Sequence, residues 1–354
     1  MVKVILQFLG AAGTVTGSKY YIETPEHTLM IDCGMFQGLK ELREKNWEEL
    51  PIDAAMVDTV LLTHGHLDHT GYLPRLVKQG FKGNIVGTAP TLAITEIILM
   101  DSAKIHEEEA ERANEEGYSK HSPAEPFYTL KDAEKTIKLF KAKDKKQWIF
   151  LTENIKYRFN YNSHIIGATF IELDIFGKIF VFSGDIGRKD DHLLFPPEKP
   201  QWADYLFMES TYGNKLHPQE NIAETLTELI HKTIAEKGTL VIPSFAVERL
   251  QTLMYLLWKL YLKNSIPNIP IFIDSPMGNN VLSVFERFAA WHKLTPSQFQ
   301  AMSKRMNIVT SYKETWKTID DPRPKVVIAA SRMVTGRRVL PSFHQLIDES
   351  TTSV

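Results

Sequence analysis

The sequence predicts a mixed α/β protein of two domains, and three observations carry that expectation. Its 354 residues exceed what one hydrophobic core usually serves. About the first 60 residues are filled with short β-rich runs, without a regular alternation of strand and helix. From Gly238 onward the texture changes to strand, helix, strand, helix, strand, the pattern of a parallel sheet flanked by helices.

Taken in order, VKVILQFLG, KYYIET, HTLMID and VDTVLLT read as four short strands bounded by Gly, Pro and Asp. The glycine-rich LGAAGTVTG lacks dinucleotide-binding spacing and reads as a tight turn. Residues 68–80 read as a helix closed by Gly80, and residues 91–117 as a long polar helix. The acidic run from Glu107 to Glu116 is the solvated face of that helix. A further amphipathic helix is expected at 130–141, then strands at 147–160, 168–175 and 178–183. Beyond Pro196, Pro197 and Pro200 come TLVIP, ERLQTLMYLLWKLYL, IPIFID, NNVLSVFERFAAW and KVVIAAS. The domain boundary is placed at Glu209, giving domains 1–208 and 209–354.

Composition excludes several classes. The charge of −2, from 41 basic against 43 acidic residues, argues against a generic polyanion coat, so a nucleic-acid partner would need a local basic groove. No apolar run reaches membrane-spanning length. The first residues read as strand and turn, not as a signal peptide. The single cysteine, Cys33, excludes an internal disulfide and fits a reducing, cytoplasmic compartment.

The chemistry starts at THGHLDHTGYLP, residues 63–74. An apolar strand ends here, and His64, His66, Asp68 and His69 follow within six positions. Imidazole and carboxylate together suit zinc and similar divalent ions. One tetrahedral site does not accommodate all four, so two neighbouring ions are expected. Further ligands should come from other strand ends, and His164 in NYNSHIIGA and Asp185 in IFVFSGDIGR are the candidates.

In order and spacing, LGAAGTVTGSKYYI, MIDCG, THGHLDHTGYLP, SHIIGA and FSGDIGR resemble the metallo-β-lactamase superfamily. MESTYGNKLHP, IPSFAVERLQTL, IDSPMG and IAASRMVTGRR resemble its β-CASP ribonuclease branch, the family of cleavage and polyadenylation endonucleases and prokaryotic relatives. The resemblance implies an αββα sandwich with an inserted β-CASP domain, an RNA substrate and two zinc ions. It implies His64, His66 and His164 as ligands of the first ion, Asp68 and His69 of the second, and Asp185 as the bridging carboxylate. Asp32 matches a buried acid that orients ligands, and Glu209 an acid that assists proton transfer to the leaving group. Contacts to the RNA backbone are expected from Ser244 with the following helix amides, and from Ser331, Arg332, Arg337 and Arg338.

The sequence also departs from the family pattern. Ser163, Arg332 and Arg337 stand where glycines are usual. Two histidines that the family carries after the β-CASP domain, a proton donor and a last metal ligand, find no match before Val354; His344 reads as a surface helix residue. The expectation is therefore an absent return segment, one zinc ion if the second site is incomplete, impaired cleavage, and self-association as a homodimer through an open sheet edge. The competing readings are a small-molecule metallohydrolase on the same core and a non-catalytic RNA-binding subunit.

Overall fold

Alternating apolar side chains build the first unit. At Tyr21–Ile22, Leu29–Met30–Ile31, Val60–Leu61 and Ile85–Val86, neighbouring residues enter two different cores, as a strand period of two requires. The structure, a computed structural model, describes residues 2–216, 221–330 and 352–353. They fall into two units, one of 1–191 with 196–213, the other of 192–195 with the described part of 214–354.

The first unit contains β1 (Ile5–Gly10), β2 (Lys19–Glu23), β3 (Thr28–Ile31), α1 (Lys40–Glu44), β4 (Thr59–Leu61), α2 (Leu67–Thr70), α3 (Leu73–Lys78) and β5 (Asn84–Gly87). Then follow α4 (Ala89–Glu116), α5 (Leu130–Ile137), β6 (Phe140–Ala142), β7 (Ile149–Phe150), β8 (Ile155–Tyr161), β9 (Thr169–Ile175), β10 (Lys178–Phe182) and β11 (Tyr205–Phe207). Six strands form a first sheet in the order β1-β2-β3-β4-β5-β6, and five a second in the order β11-β10-β9-β8-β7. Ile22, Leu29, Ile31, Leu61 and Val86 of the first sheet meet Tyr157, Phe159, Ile171, Leu173 and Phe182 of the second in a buried core. The other face of the first sheet packs Met30, Val60 and Ile85 against Leu73 and Leu76 of α3, Leu99 of α4 and Ala133 of α5.

The connectivity decides where chemistry can gather. β3, β4, β5 and β6 run parallel, so their exits lie along one edge of the first sheet. In the second sheet β8 ends opposite the start of β9, with Tyr161 facing Thr169. β10 and β11 run parallel and end together at Phe182 and Phe207. A bond from Thr169 N, at the start of β9, to the carbonyl of Thr63, just past β4, 2.9 Å long, holds this edge of the two sheets together.

The second unit is the expected parallel α/β arrangement. It comprises α6 (Ile222–Ala235), β12 (Thr239–Ser244), α7 (Arg249–Leu262), β13 (Ile271–Asp274), α8 (Pro276–Arg287), α9 (Pro296–Lys304), β14 (Asn307–Val309), α10 (Tyr312–Ile319), β15 (Lys325–Ala330) and β16 (Thr352–Ser353). The strand order is β14-β13-β15-β12-β16, all parallel.

Three elements differ from the sequence reading. The helix expected at 68–80 is two helices, because the Tyr72 amide bonds to the carbonyl of Cys33 instead of continuing the first turn. The helix expected at 130–141 stops at Ile137, and Phe140–Ala142 become the edge strand β6 beside β5. The strand expected at 147–160 is a hairpin, β7 and β8, closed by a bond from Leu151 N to Ile155 O. The acidic run of α4 is largely exposed, although Glu107 accepts the Leu130 N–H at the start of α5. No helix among the described residues is long and apolar enough to cross a membrane.

Candidate metal centre

Five strand exits of the first unit bring their polar side chains together. After β3 comes Asp32, left-handed at φ 57° and 1% exposed. Its Oδ1 accepts the Thr63 N–H and its Oδ2 the Thr63 hydroxyl, both at 2.8 Å. Oδ2 also lies 2.7 Å from His69 Nδ1. Thr63 Oγ1 is 3.1 Å from His64 Nδ1. The hydroxyl proton goes to Asp32, so Oγ1 accepts from Nδ1–H and His64 presents Nε2 as a lone pair. His69 is oriented in the same way, with Nδ1 on Asp32 and Nε2 turned inward.

The inward atoms converge in two groups. His64 Nε2 and His164 Nε2 each lie 3.1 Å from His66 Nδ1, and Asp185 Oδ2 is 3.4 Å from His164 Nε2. His69 Nε2 is 3.2 Å from Asp185 Oδ1 and 4.0 Å from Asp68 Oδ2. Within each set, His64–His66–His164–Asp185 and Asp68–His69–Asp185, one ligand atom per residue lies within 4.8 Å of every other. Asp185 belongs to both. Nitrogen lone pairs facing one another around a carboxylate have little reason to gather without a cation, and this donor chemistry fits two divalent ions sharing one carboxylate.

Without a cation, His64 and His69 are shifted in opposite directions. Burial, then the neighbouring His69, hold His64 well below the ordinary histidine range, so it is neutral and able to donate its lone pair. Burial opposes charge on His69 as well, but the carboxylates of Asp185 and Asp32 outweigh it and raise this imidazole well above its usual value. Burial likewise opposes ionisation of Asp185, yet His69, with His64 and His164, keeps it far below the usual carboxylate range.

Close backbone packing holds the loops. Ser18 N donates to Asp68 O at 2.9 Å and Cys33 N to His69 O at 2.8 Å. A Cβ on Gly34 would lie 1.5 Å from Asp68 O, so only glycine fits there. Asn162 Nδ2 lies 2.6 Å from the carbonyls of both Ser183 and Asp185, joining the His164 loop to the Asp185 loop. Thr91 Oγ1 donates to Gly167 O at 2.7 Å. Ser163, at φ 65°, occupies the left-handed region favoured by glycine.

Glu209 reaches the same edge. It lies just past β11, and its Oε1 accepts the Ile186 N–H at 2.8 Å, while its own N–H donates to Ser183 Oγ. The structure thus brings together Asp32, His64, His66, Asp68, His69, His164, Asp185 and Glu209. Sequence reading missed Thr63, Asn162 and Lys19. Lys19 is 1% exposed beneath the metal loops; its ammonium donates to Gly17 O and lies 4.4 Å from the Phe36 ring centroid. Asn162 had a signal, its place beside His164; Thr63 and Lys19 had none beyond polarity in a buried run.

In the second unit Ser244 is buried at the end of β12, with Oγ 3.1 Å from Phe245 O. The amides of Arg249 and Leu250, which open α7, bond to the carbonyls of Val247 and Phe245. These two amides are engaged by the chain itself. Ser331, Arg332, Arg337, Arg338 and His344 lie outside the described residues.

The Metallo-beta-lactamase superfamily profile matches residues 12–150 and the Beta-Casp domain profile residues 250–354. A ribonuclease of Thermus thermophilus, TTHA0252, is 32% identical over 94% of this chain and 73% of its own length. The chain belongs to the β-CASP branch of the metallo-β-lactamase superfamily. Other members include cleavage and polyadenylation specificity factor subunit 3-I of Arabidopsis thaliana, 29% identical over 81% of this chain and 40% of its own. Transcription termination factor FttA of Methanosarcina mazei is 28% identical over 96% of this chain and 54% of its own. The chain therefore spans about half or less of these two larger relatives. A protein of unknown function from Enterococcus faecalis shares the fold, with a TM-score of 0.50 and 13% identity over 99% of this chain and 87% of its own.

Proposed function

We propose that this protein hydrolyses phosphodiester bonds of RNA with two zinc ions. The observation that carries the reading is the pair of convergent donor sets sharing Asp185, in a chain whose Thermus relative is named a ribonuclease. His64, His66, His164 and Asp185 would hold one ion; Asp68, His69 and Asp185 would hold the other. Bound there, the ions supply an acidified water and Lewis-acid neutralisation of charge on the phosphoryl oxygens. The protein's own part is orientation. Asp32 fixes the ring of His69 and, through Thr63, that of His64. Glu209, held on the Asp185 loop by the Ile186 amide, is given the proton traffic at the leaving oxygen. Ser244, Ser331, Arg332, Arg337 and Arg338 are proposed as contacts to the RNA backbone, and residues 209–354 as the β-CASP domain.

The reading includes a cytoplasmic location, supported by the buried lone Cys33. It also includes a homodimer, supported by the outermost strands β1 and β11, where Phe8 and Leu206 are exposed; light scattering after size exclusion reads that state. Metal analysis with RNA turnover tests the core of the reading. Wild type should carry zinc and cleave labelled RNA, and His64→Ala should lose the first ion together with activity. Zinc-loaded protein that leaves RNA intact while hydrolysing lactones or thioesters would move the assignment to small molecules.

A further inference from the structure

Lysines crowd the loop that leaves β6. Between Lys138 and Lys146 the chain carries five lysines, at 138, 141, 143, 145 and 146, against a single acid, Asp144, in a protein whose overall charge is −2. The parallel topology fixes where this loop lies. β6 pairs with β5 and β5 with β4, with Gly87 opposite Ala142 and Val86 opposite Leu61. The exit of β6 is thus on the same edge as the exit of β4, which carries His64 to His69. Two strand spacings separate the exits, about 10 Å.

Both ends of the loop are pinned. Lys143 N donates to Gly87 O at 3.0 Å and Lys146 N to Phe159 O at 2.7 Å. The Lys146 ammonium pairs with Glu198 at 2.7 Å. Lys145 lies 5.3 Å from the ring centroid of Tyr161, the last residue of the strand that leads to His164. Lys141 and Lys143 are exposed and Lys145 is half-buried. The opposite edge of the unit is balanced instead: Lys156 pairs with Asp174 at 3.4 Å and Lys178 with Asp204 at 2.9 Å. Beside the carboxylates of the candidate metal centre, this edge therefore carries a cluster of lysines at the β6 exit, with Glu198 facing Lys145 and Lys146.

We propose that Lys143 and Lys145, with Lys141 behind them, form a subsite for the phosphodiester backbone of an RNA strand leaving the metal centre along the exits of β5 and β6. This rests on the ribonuclease reading above and adds to it a binding track within the first unit. Phosphate contacts of this kind release counterions, at about 0.7 per phosphate for a single strand.

The test is the salt dependence of binding to a short fluorescein-labelled oligoribonucleotide, with every variant carried in an Asp68→Asn background to stop turnover. Lys143→Gln/Lys145→Gln should lower the slope of log K against log salt by about 1.4 and weaken low-salt binding several-fold. Lys143→Arg/Lys145→Arg should restore both. The charge-matched Lys82→Gln/Lys178→Gln variant, on the opposite edge, should keep the parent slope. A parent-like slope in the first variant, or an equal loss in the opposite-edge variant, overturns the subsite while leaving the ribonuclease reading intact. A parent protein that binds no RNA overturns both.

Discussion

The two units end their parallel strands in opposite ways. In the first, Asp32 at the exit of β3 ties down the outer nitrogen of His69 and, through Thr63, that of His64, while the inner nitrogens of these rings converge with Asp68 and the other donors. In the second, the exits of β12 and β13 carry Ser244 and Ser275, whose hydroxyls return to their own turns: Ser244 to Phe245 O, and Ser275 as the cap on Gly278 N of α8. Gln251 likewise donates back to Ala246 O. The difference teaches that parallel exits alone do not make a centre. Exits of a second sheet, here those of β8 and β10, must arrive on the same edge with His164 and Asp185.

The hardest way to break this comparison is to exchange the acids. Asp185→Ala removes the residue common to both donor sets and should abolish binding of both ions, with activity falling by ~10³-fold or more, the scale of losing one preorganised electrostatic group. Asp274→Asn, at the exit of β13 and 1% exposed, should leave metal content unchanged. If both variants lose their metal, the second unit supports the centre and the contrast is gone.

Asp32→Asn sharpens the claim about orientation. The amide supplies one acceptor where Asp32 accepts from Thr63 N, Thr63 Oγ1 and His69 Nδ1. Metal affinity should fall by ~10–100-fold, more for the ion held by His69. Titration with a chelating indicator reads it; an unchanged affinity would reduce Asp32 to a turn residue.

Lys19→Met addresses the cost of the buried support beneath the loops. Burial lowers the Lys19 pKa to about 8 from 10.5. Between those values the unfolded chain binds the proton and the folded chain does not, so the Lys19 contribution to stability rises with pH across that window and is flat below it. At pH 7 the methionine variant should be more stable by ~1–3 kcal/mol, and the advantage should vanish by about pH 10.5. Urea unfolding at both pH values decides; an advantage that does not change with pH would locate the effect in packing alone.

The smallest expected effect is at Ser163. Glycine at this left-handed position removes a conformational penalty of ~1 kcal/mol and loses only the 3.3 Å contact of its hydroxyl with Arg188 O. Ser163→Gly should raise thermal stability slightly without changing metal content. A clear loss of stability would show that the serine hydroxyl matters more than the backbone.

The candidate donors were legible because imidazoles and carboxylates gathered in one short loop are chemically conspicuous. Three histidines and an aspartate after an apolar strand mark the cluster locally; His164 and Asp185 stood out at other strand ends, and the resemblance gave them their roles. Capping signals that were equally local went unread: Thr295 with Gln298 and Ser311 with Glu314 form capping boxes that open α9 and α10. β6 was illegible for a different reason. Leu139 to Ala142 continues a helical pattern in sequence, and only the unpaired edge of β5, whose Ile85 N–H bonds to Leu139 O, draws it into the sheet.

By itself the sequence determined the residue types of the centre, the two-domain division of texture and the parallel character of the second unit, because hydrophobic period and ligand chemistry are written residue by residue. Tertiary structure alone decided that Asn162 ties the Asp185 loop to the His164 loop, that Thr63 chooses which nitrogen His64 presents, and that the β6 lysines stand on the edge of the candidate centre. Each of these depends on which strands are neighbours and on which edge they end, and spacing along one chain does not encode distances between loops that sheet pairing brings together.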